Sequence, residues 1–160
     1  MLKLVFDADG LIKLARSGIL RRATVHVRCF ASHQVYEEVL RGKEKLYEDA
    51  FIIEELATTN NIMVKQTKPF EEPETLGAGE RAALALFRTL NADAIVSDDL
   101  KFLTSLEAMR VPFIIPTHLI VLLAQRSYIT HEQARHSLSA IRPFVREQNY
   151  QEAQELIRGD

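Results

Sequence analysis

Carboxylates directly follow two short apolar segments of the chain, residues 2–6 and 94–97. Apolar segments of this length are typical of buried parallel strands. Ligands of an open α/β sheet bind outside the carboxyl ends of its strands, so two neighbouring strands of this kind would bring the acids into one small volume. Clustered carboxylates raise each other's pKa, and a hard divalent cation with oxygen ligands relieves that repulsion. The acids are Asp7, Asp9, Asp98 and Asp99.

Two glutamates add to this candidate cluster. Glu38 lies within the apolar helical pattern of residues 35–40, and Glu80 begins a helix just after Gly77 and Gly79, which allow close backbone approach. Each acid alone has a structural explanation, because aspartates cap helices, Glu80 favours the helix dipole and Glu38 can point to solvent. Capping explains one acid per helix, but it does not explain paired acids after two strands.

The residue types of the cluster indicate the ion and the chemistry. Carboxylates with water are the ligands that Mg²⁺ or Mn²⁺ favours, whereas a zinc site needs Cys and His. A site of this kind activates water and stabilises in-line displacement at phosphorus. The sequence contains no Ser-His-Asp order, Walker loop or G-x-G-x-x-G motif.

The elements that must position these acids alternate between strands and helices, which predicts βαβ units around a mostly parallel sheet. The predicted strands are residues 2–6, 24–30, 62–64, 94–97 and 111–115. The predicted helices are residues 10–17, 33–41, 43–58, 81–90, 100–109, 116–123, 131–140 and 150–158, and residues 69–73 form a polar connection. The chain has no internal repeat or linker, so residues 1–160 are predicted to form a single domain.

Composition sets further bounds. Cys29 is the only cysteine, which excludes an internal disulfide and predicts a buried structural thiol in a cytoplasmic protein. No apolar run approaches the ~20 residues that a membrane span needs. The net charge of −2 neither requires nor excludes a nucleic-acid partner. The basic residues, interpreted either as solvated surface or as a phosphate-binding rim, are Lys13, Arg16, Arg21, Arg22, Arg28, Arg41, Lys43 and Lys45.

Taken in order, these motifs resemble those of PIN-domain ribonucleases, in particular a prokaryotic, toxin-like subgroup. The matching pieces are Val-Phe-Asp7-Ala-Asp-Gly-Leu-Ile, Val35-x-x-Glu38, Leu76-Gly-Ala-Gly-Glu80 and Ala92-Asp-Ala-Ile-Val-Ser-Asp98-Asp99. The apolar run of residues 115–124 resembles the C-terminal part of that subgroup. The resemblance is closest over residues 1–140, which leaves residues 141–160 as a C-terminal helical extension.

The resemblance implies a three-layer α/β/α sandwich with a mostly parallel central sheet, and an acidic pocket that binds Mg²⁺ or Mn²⁺. It implies hydrolysis of RNA, often by the toxin of a toxin–antitoxin pair, so RNA, an antitoxin protein and a second copy of the chain are the candidate partners, with no membrane. The implied catalytic residues are Asp7, Glu38, Glu80, Asp98 and Asp99, and the implied metal ligands are these five and Asp9.

The position of the fourth family acid stays open. If the pair Asp98-Asp99 is aligned with the family motif, Asp98 is the fourth acid. If the spacing Ser97-x-Asp99 with Phe102 downstream is aligned instead, the fourth acid is Asp99. Glu80 stands where related members often carry Asp, one methylene shorter.

Two alternatives remain. The segment Phe6-Asp7-Ala-Asp9-Gly10 resembles the nucleophile motif of haloacid-dehalogenase-like phosphatases, in which Asp7 would be phosphorylated and Asp9 would act as acid and base. Leu11 opposes this reading because Thr or Val usually follows the glycine, and Glu38 and Glu80 would have no role. The other alternative is a catalytically inactive PIN-like binding module.

Overall fold

The computed structural model describes residues 1–45, 47–68 and 73–159 of the chain. The strands of this part are β1 (Lys3–Phe6), β2 (Arg28–Ser32), β3 (Ile62–Lys65), β4 (Ala94–Val96) and β5 (Phe113–Ile114). The helices are α1 (Ala8–Arg16), α2 (Leu20–His26), α3 (His33–Glu44), α4 (Glu48–Thr58), α5 (Ala78–Leu90), α6 (Leu100–Ala108), α7 (Pro116–Gln125), α8 (His131–Ile141) and α9 (Glu147–Arg158), and Arg142–Phe144 forms a 3₁₀ turn.

The five described strands form one parallel sheet in the order β3-β2-β1-β4-β5. β1 is central, and Phe6 at its end is in register with Ala31 on one side and Val96 on the other. The chain leaves β1 towards α1 on one face of the sheet and leaves β4 towards α6 on the other face. The crevice between the carboxyl ends of β1 and β4 is therefore a topological switch point, where open α/β sheets bind ligands.

Helices cover both faces of the sheet, which confirms the predicted three-layer α/β/α sandwich. One face packs against apolar side chains of α1, α2, α3, α4, α7, α8 and α9, and the other packs against α5 and α6. Consecutive strand residues point to opposite faces, so Leu4 and Phe6 enter the first core while Val5 enters the second. Burial on both faces explains why the strands are continuously apolar.

The predicted strand over residues 24–30 is correct only in its second half. Residues 24–26 belong to α2, and β2 begins at Arg28. The β-branched residues Thr24 and Val25 suggested a strand, but the helix buries Leu20 and Ala23 and leaves Val25 67% exposed. Strand propensity largely reflects packing on a sheet, and tertiary contacts override it here.

The boundary between α3 and α4 also differs from the prediction. Gly42 does not end α3, which continues to Glu44, and α4 begins only at Glu48. A β-carbon on Gly42 would lie 3.4 Å from both Ala50 and Tyr47 side chains, so glycine permits close packing of the two helices. Two predictions lie outside the described residues. They are the position of Leu46 on the apolar face of a helix and residues 69–72 of the predicted polar connection.

The predicted burial of Cys29 is confirmed, and α7 is also largely buried. Cys29 is fully buried, and desolvation raises the pKa of its thiol to about 12, so it stays a protonated core group. The apolar residues of α7 face the protein's own core, with Leu119 and Ile120 fully buried.

Within the described part of the chain, no helix has both the length and the apolar character to cross a bilayer.

Candidate active site

Asp7 lies at the switch point, directly after β1, and caps α1. Its Oδ1 accepts a hydrogen bond of 2.7 Å from the backbone N–H of Gly10, and its Oδ2 accepts one of 2.5 Å from the hydroxyl of Ser97. The residue is 6% exposed. The cap and the hydroxyl together fix the carboxyl group between the ends of β1 and β4.

The environment of Asp7 raises its pKa from 3.8 to about 7. Burial is the largest cause, because it penalises the charged form. The hydrogen bonds from Ser97 and Gly10 oppose this shift, and the negative charges of Asp9 and Asp99 add to it. Asp7 has no ion-pair partner among the described residues, so nothing in this part of the chain compensates its charge.

Gly10 allows α1 to begin this close to β4. A β-carbon at this position would lie 2.4 Å from the carbonyl oxygen of Val96, closer than any side chain tolerates. The backbone N–H of Asp7 donates to the same carbonyl oxygen at 3.2 Å. The motif Asp7-Ala-Asp9-Gly10 therefore has a packing requirement in addition to its acids.

Asp99 is coupled to Asp7 through Ser97. The backbone N–H of Asp99 donates to the Ser97 hydroxyl at 3.1 Å, and the same hydroxyl donates to Asp7. Asp99 caps α6 by accepting from the N–H of Phe102 at 3.0 Å, yet its side chain is exposed at the mouth of the crevice. A buried hydroxyl thus links the Asp7 carboxyl group to the backbone of Asp99, whose charge also acts on Asp7.

Asp98 is bound differently, because cationic side chains occupy both of its oxygens. Lys13 Nζ lies 2.7 Å from Oδ2, and Arg146 donates to Oδ1 at 3.3 Å. Lys13 also approaches Asp9 Oδ2 at 3.3 Å, an ion pair within α1. Burial lowers the pKa of Lys13, but the hydrogen bond to Asp98 and the charges of Asp9 and Asp98 outweigh burial and raise it overall.

Glu38 and Glu80 both lie at the first turn of α5. A β-carbon on Gly79 would lie 2.9 Å from Glu38 Oε2, so the missing side chain leaves room for that carboxylate. Glu80 accepts from the N–H of Gly77 at 3.1 Å through Oε1, while its Oε2 is buried without a hydrogen-bond partner. The end of α5 lies beside Lys3, at the start of β1. The first turn of α5 therefore lies near the carboxyl ends of the strands, where Asp7 also lies.

The six predicted acids thus lie in three places, which we call the acidic pairs: Asp7 beside the charge of Asp99, Asp9 and Asp98 on the shared cation Lys13, and Glu38 beside the first turn of α5, where Glu80 lies. Among the described residues, no three His, Cys, Asp or Glu side chains form a group that could hold a metal ion. The donor chemistry of two pairs nevertheless fits a hard divalent cation, since Glu80 has a buried unpartnered oxygen and Asp7 a buried uncompensated carboxyl. Asp98 fits least well, because Lys13 and Arg146 already neutralise it.

Sequence reasoning missed the residues that hold Asp98. The sequence predicts Lys13 only as a surface or rim cation, although its position four residues after Asp9 on a helix is a recognisable ion-pair signal. Arg146 gives no such signal, since it is 48 residues away from Asp98 and reaches it only through the packing of α9. Ser97 was noted for its spacing, whereas its hydrogen bond to Asp7 depends on the β1–β4 pairing.

Comparison with known families adds an independent finding. A family model described as a PIN domain matches residues 3–157, which include every element from β1 to the end of α9 except the last residue of α9. PIN domains are generally nucleases and generally use divalent metal ions. No curated protein and no solved structure matches the chain.

Proposed function

The chain belongs to the PIN-domain family, and on that premise we propose that it is a metal-dependent endoribonuclease that hydrolyses RNA phosphodiesters. The observation that carries the proposal is the buried carboxyl group of Asp7, which lies at the switch point beside the charge of Asp99 and without a cationic partner among the described residues. Such a carboxyl group binds a divalent cation more readily than one that is already ion-paired.

Asp7 and Asp99 would hold Mg²⁺ or Mn²⁺ directly, with Asp98 as the alternative to Asp99. Glu38 and Glu80 would hold it through water or bind a second ion, and Asp9 would add a further oxygen. When bound, the ion supplies water activation and neutralises charge that develops on the phosphoryl oxygens. Ser97 keeps Asp7 oriented and already hydrogen-bonded before the ion arrives, while Lys13 and Arg146 hold Asp98 at the edge of the site.

The first experiment compares two substrates for the parent protein. A labelled single-stranded RNA and p-nitrophenyl phosphate are incubated with Mg²⁺ or Mn²⁺, and with EDTA as a control. The proposal expects internal cleavage of the RNA that EDTA stops, with the phosphomonoester left intact. Turnover of the phosphomonoester instead would favour the phosphatase alternative.

The decisive variant is Asp7→Asn, which keeps an acceptor for the Gly10 N–H but removes the negative charge. It should reduce RNA cleavage by at least about 100-fold, as expected when a metal ligand is lost, and circular dichroism should show an intact fold. Asp93→Asn is the matched control. Asp93 lies at the amino ends of β1 and β4, away from Asp7, and accepts a hydrogen bond from the N–H of Lys3. If Asp7→Asn cleaves as well as the parent, the proposal is wrong.

A second candidate function is a catalytically inactive binding module, and one observation favours it. Two cationic side chains already neutralise Asp98, as expected for a pocket that has replaced its metal by internal ion pairs. Thermal unfolding with and without Mn²⁺ separates the two functions, because an ion bound only to the folded state raises the melting temperature. An unchanged melting temperature together with no cleavage would favour the binding module.

The finer role as toxin of a toxin–antitoxin pair stays a prediction that rests on the resemblance of residues 115–124. Co-expression with the product of an adjacent reading frame tests it, since an antitoxin should relieve growth arrest that the parent chain causes and the Asp7→Asn variant does not.

A further inference from the structure

A wide groove lies away from the acidic pairs, between α1 and α2 on one side and α8 on the other. Its cavity volume is about 1120 Å³. Six basic or imidazole side chains line it and define what we call the basic groove: Arg16, Arg21, Arg22, His26, Arg135 and His136. The site described above uses none of these residues.

The charge of the basic groove is opposite to that of the whole chain. Four arginines and one acid, Glu132, line the groove, a formal charge of +3 that the ion partners of two arginines lower to +1, in a protein whose net charge is −2. Arg21 is bound to Glu55 and Arg16 lies 3.8 Å from Asp49. Arg22 and Arg135 are exposed and have no ion-pair partner among the described residues, so their guanidinium groups are free for a polyanion.

Helix α1 links the basic groove to the acidic site, because Asp7 caps the start of α1 and Arg16 at its end lines the groove. A second depression runs along α1 from Ala8 and Glu38 to Arg16, and Arg16 lines both this depression and the basic groove. Arg41 and Lys45 line this depression too, so that its three cations outnumber its two acids, Glu38 and Asp49. The path from Ala8 to Arg16 follows α1 for eight residues, or about 12 Å at 1.5 Å per residue. A flexible polyanion held in the crevice of Asp7 can therefore extend along α1 into the basic groove.

One aromatic feature accompanies the charges. His26 lines the basic groove and stacks on Tyr128 with their rings 4.3 Å apart and 5° from parallel. Flat aromatic groups beside cations are the usual combination in surfaces that bind single-stranded nucleic acid without strict sequence preference.

We propose that the basic groove binds the sugar–phosphate backbone of single-stranded RNA whose scissile bond lies at Asp7, an inference that rests on the proposed nuclease function. Arg22 and Arg135 contact phosphates directly, while Arg16 bridges the two surfaces. The basic groove thereby sets the affinity for long substrates, and the acidic crevice performs the cleavage.

The test compares Arg22→Gln/Arg135→Gln with a matched control, Arg110→Gln/Arg158→Gln, in which two exposed arginines outside the basic groove lose the same charge. Binding of a fluorescein-labelled polyuridine of about 20 nucleotides is measured by anisotropy in EDTA, so that metal-dependent cleavage does not interfere. Salt is varied between about 50 and 200 mM, because the slope of log K against log salt counts phosphate contacts.

The groove variant should lose about tenfold in affinity at low salt, and its salt slope should fall by about 1.4, since each phosphate contact of a single strand contributes about 0.7. The control should stay within about twofold of the parent, as expected for residues without a phosphate contact. Equal affinity and slope in parent and groove variant, or an equal loss in the control, would overturn the proposal.

A cleavage arm separates this inference from the nuclease proposal. With Mn²⁺, the groove variant should show a raised KM for the long RNA, an unchanged kcat, and unchanged cleavage of a dinucleotide, whose single phosphate lies at Asp7 and leaves none for the basic groove. If the parent cleaves no RNA at all, the nuclease proposal fails. The anisotropy titration still decides whether the basic groove binds RNA.

Discussion

Asp7 and Asp98 follow two neighbouring strands, β1 and β4, and their carboxyl groups differ in what holds them. Two neutral donors hold Asp7, and two cations hold Asp98. Neutral donors leave the negative charge of Asp7 uncompensated, which is costly for a buried group, whereas Lys13 and Arg146 neutralise the charge of Asp98. We therefore expect a divalent cation to interact most strongly with the Asp7 side of the crevice.

Ser97 offers a test of how Asp7 is positioned. Ser97→Ala removes a hydrogen bond that lowers the pKa of Asp7, so the carboxyl group should lose its proton only at higher pH. We expect cleavage at neutral pH to fall by about tenfold, as for loss of one hydrogen bond to a charged group. If Ser97 were merely structural, the substitution would leave the pH dependence of the cleavage rate unchanged. If Ser97 positions Asp7, the acidic limb of the pH–rate profile should move to higher pH. The control is Ser105→Ala, because the hydroxyl of Ser105 donates to the carbonyl of Lys101 within α6.

The raised pKa of Asp7 also makes the stability of the metal-free protein depend on pH. The folded protein holds the proton up to about pH 7 and the unfolded chain only to about pH 3.8, so the folded state binds more protons between these values. The free energy of unfolding should then fall as pH rises through this window, by at most about 4 kcal/mol. Urea unfolding in EDTA at several pH values measures it. Asp7→Asn should lose this component, and an identical pH dependence of parent and variant would contradict the assignment.

At the residue level, the sequence predicted the acids better than their partners. Asp7, Asp9, Asp98 and Asp99 were recognisable because each follows an apolar strand, and the topology places those strands side by side. The ion pair from Arg146 to Asp98 was not predictable, because it depends on where α9 packs. A sequence pattern reports neighbours along the chain, whereas neutralisation of a charge is decided by neighbours in space.

At the scale of elements, the site depends on how closely α1 approaches the end of β4. Gly10→Ala would place a β-carbon 2.4 Å from the carbonyl oxygen of Val96, and neither backbone can yield without disturbing the β1–β4 pairing. We expect a loss of about 3 kcal/mol in unfolding free energy, at the upper end of the range for overpacking. RNA cleavage should fall as well, because Asp7 moves with the helix that it caps.

Gly159→Ala is the control for that substitution. A β-carbon on Gly159 meets nothing closer than 3.5 Å, and its backbone is in the right-handed region, so the free energy of unfolding should stay unchanged or rise slightly. Equal melting temperatures for Gly10→Ala and the parent would show that α1 has more freedom at this point than the packing indicates.

Element type and order were largely predictable, and the errors occurred where packing overrides propensity. The helix predicted from residue 10 begins at Ala8, because Asp7 caps it. The first half of the predicted second strand is helical, because α2 buries only Leu20 and Ala23 and tolerates β-branched residues on its solvent side. The predicted strand over residues 111–115 shortens to Phe113–Ile114 at the edge of the sheet, where it has a single neighbour among the described strands.

At the scale of the whole molecule, the last helix shares the core of the first strand. Tyr150, Ala153 and Ile157 of α9 are buried in the apolar cluster that also contains Leu4 and Phe6. α9 also begins beside Arg146, which reaches Asp98. The C-terminal helix therefore contributes to stability and to the electrostatics of the crevice, although the sequence motifs end well before it.

A pair of arginine substitutions on α9 tests this contribution. Ala153 is fully buried and Leu156 is 44% exposed, so Ala153→Arg buries a charge that Leu156→Arg leaves in water. We expect Ala153→Arg to lose at least about 4 kcal/mol or to unfold, and Leu156→Arg to stay within about 0.5 kcal/mol of the parent. Thermal and urea unfolding measure both. Similar stability of the two variants would mean that α9 is dispensable for the core.

The central claim is that the Asp7 side of the crevice binds a divalent cation, and calorimetric titration of Mn²⁺ into the EDTA-treated, dialysed protein tests it most directly. We predict saturable binding by the parent, no binding by Asp7→Asn, weakened binding by Asp99→Asn, and a smaller effect of Asp98→Asn because Lys13 and Arg146 already neutralise that carboxylate. Absence of saturable heat with the parent, or equal binding by Asp7→Asn, would contradict the account.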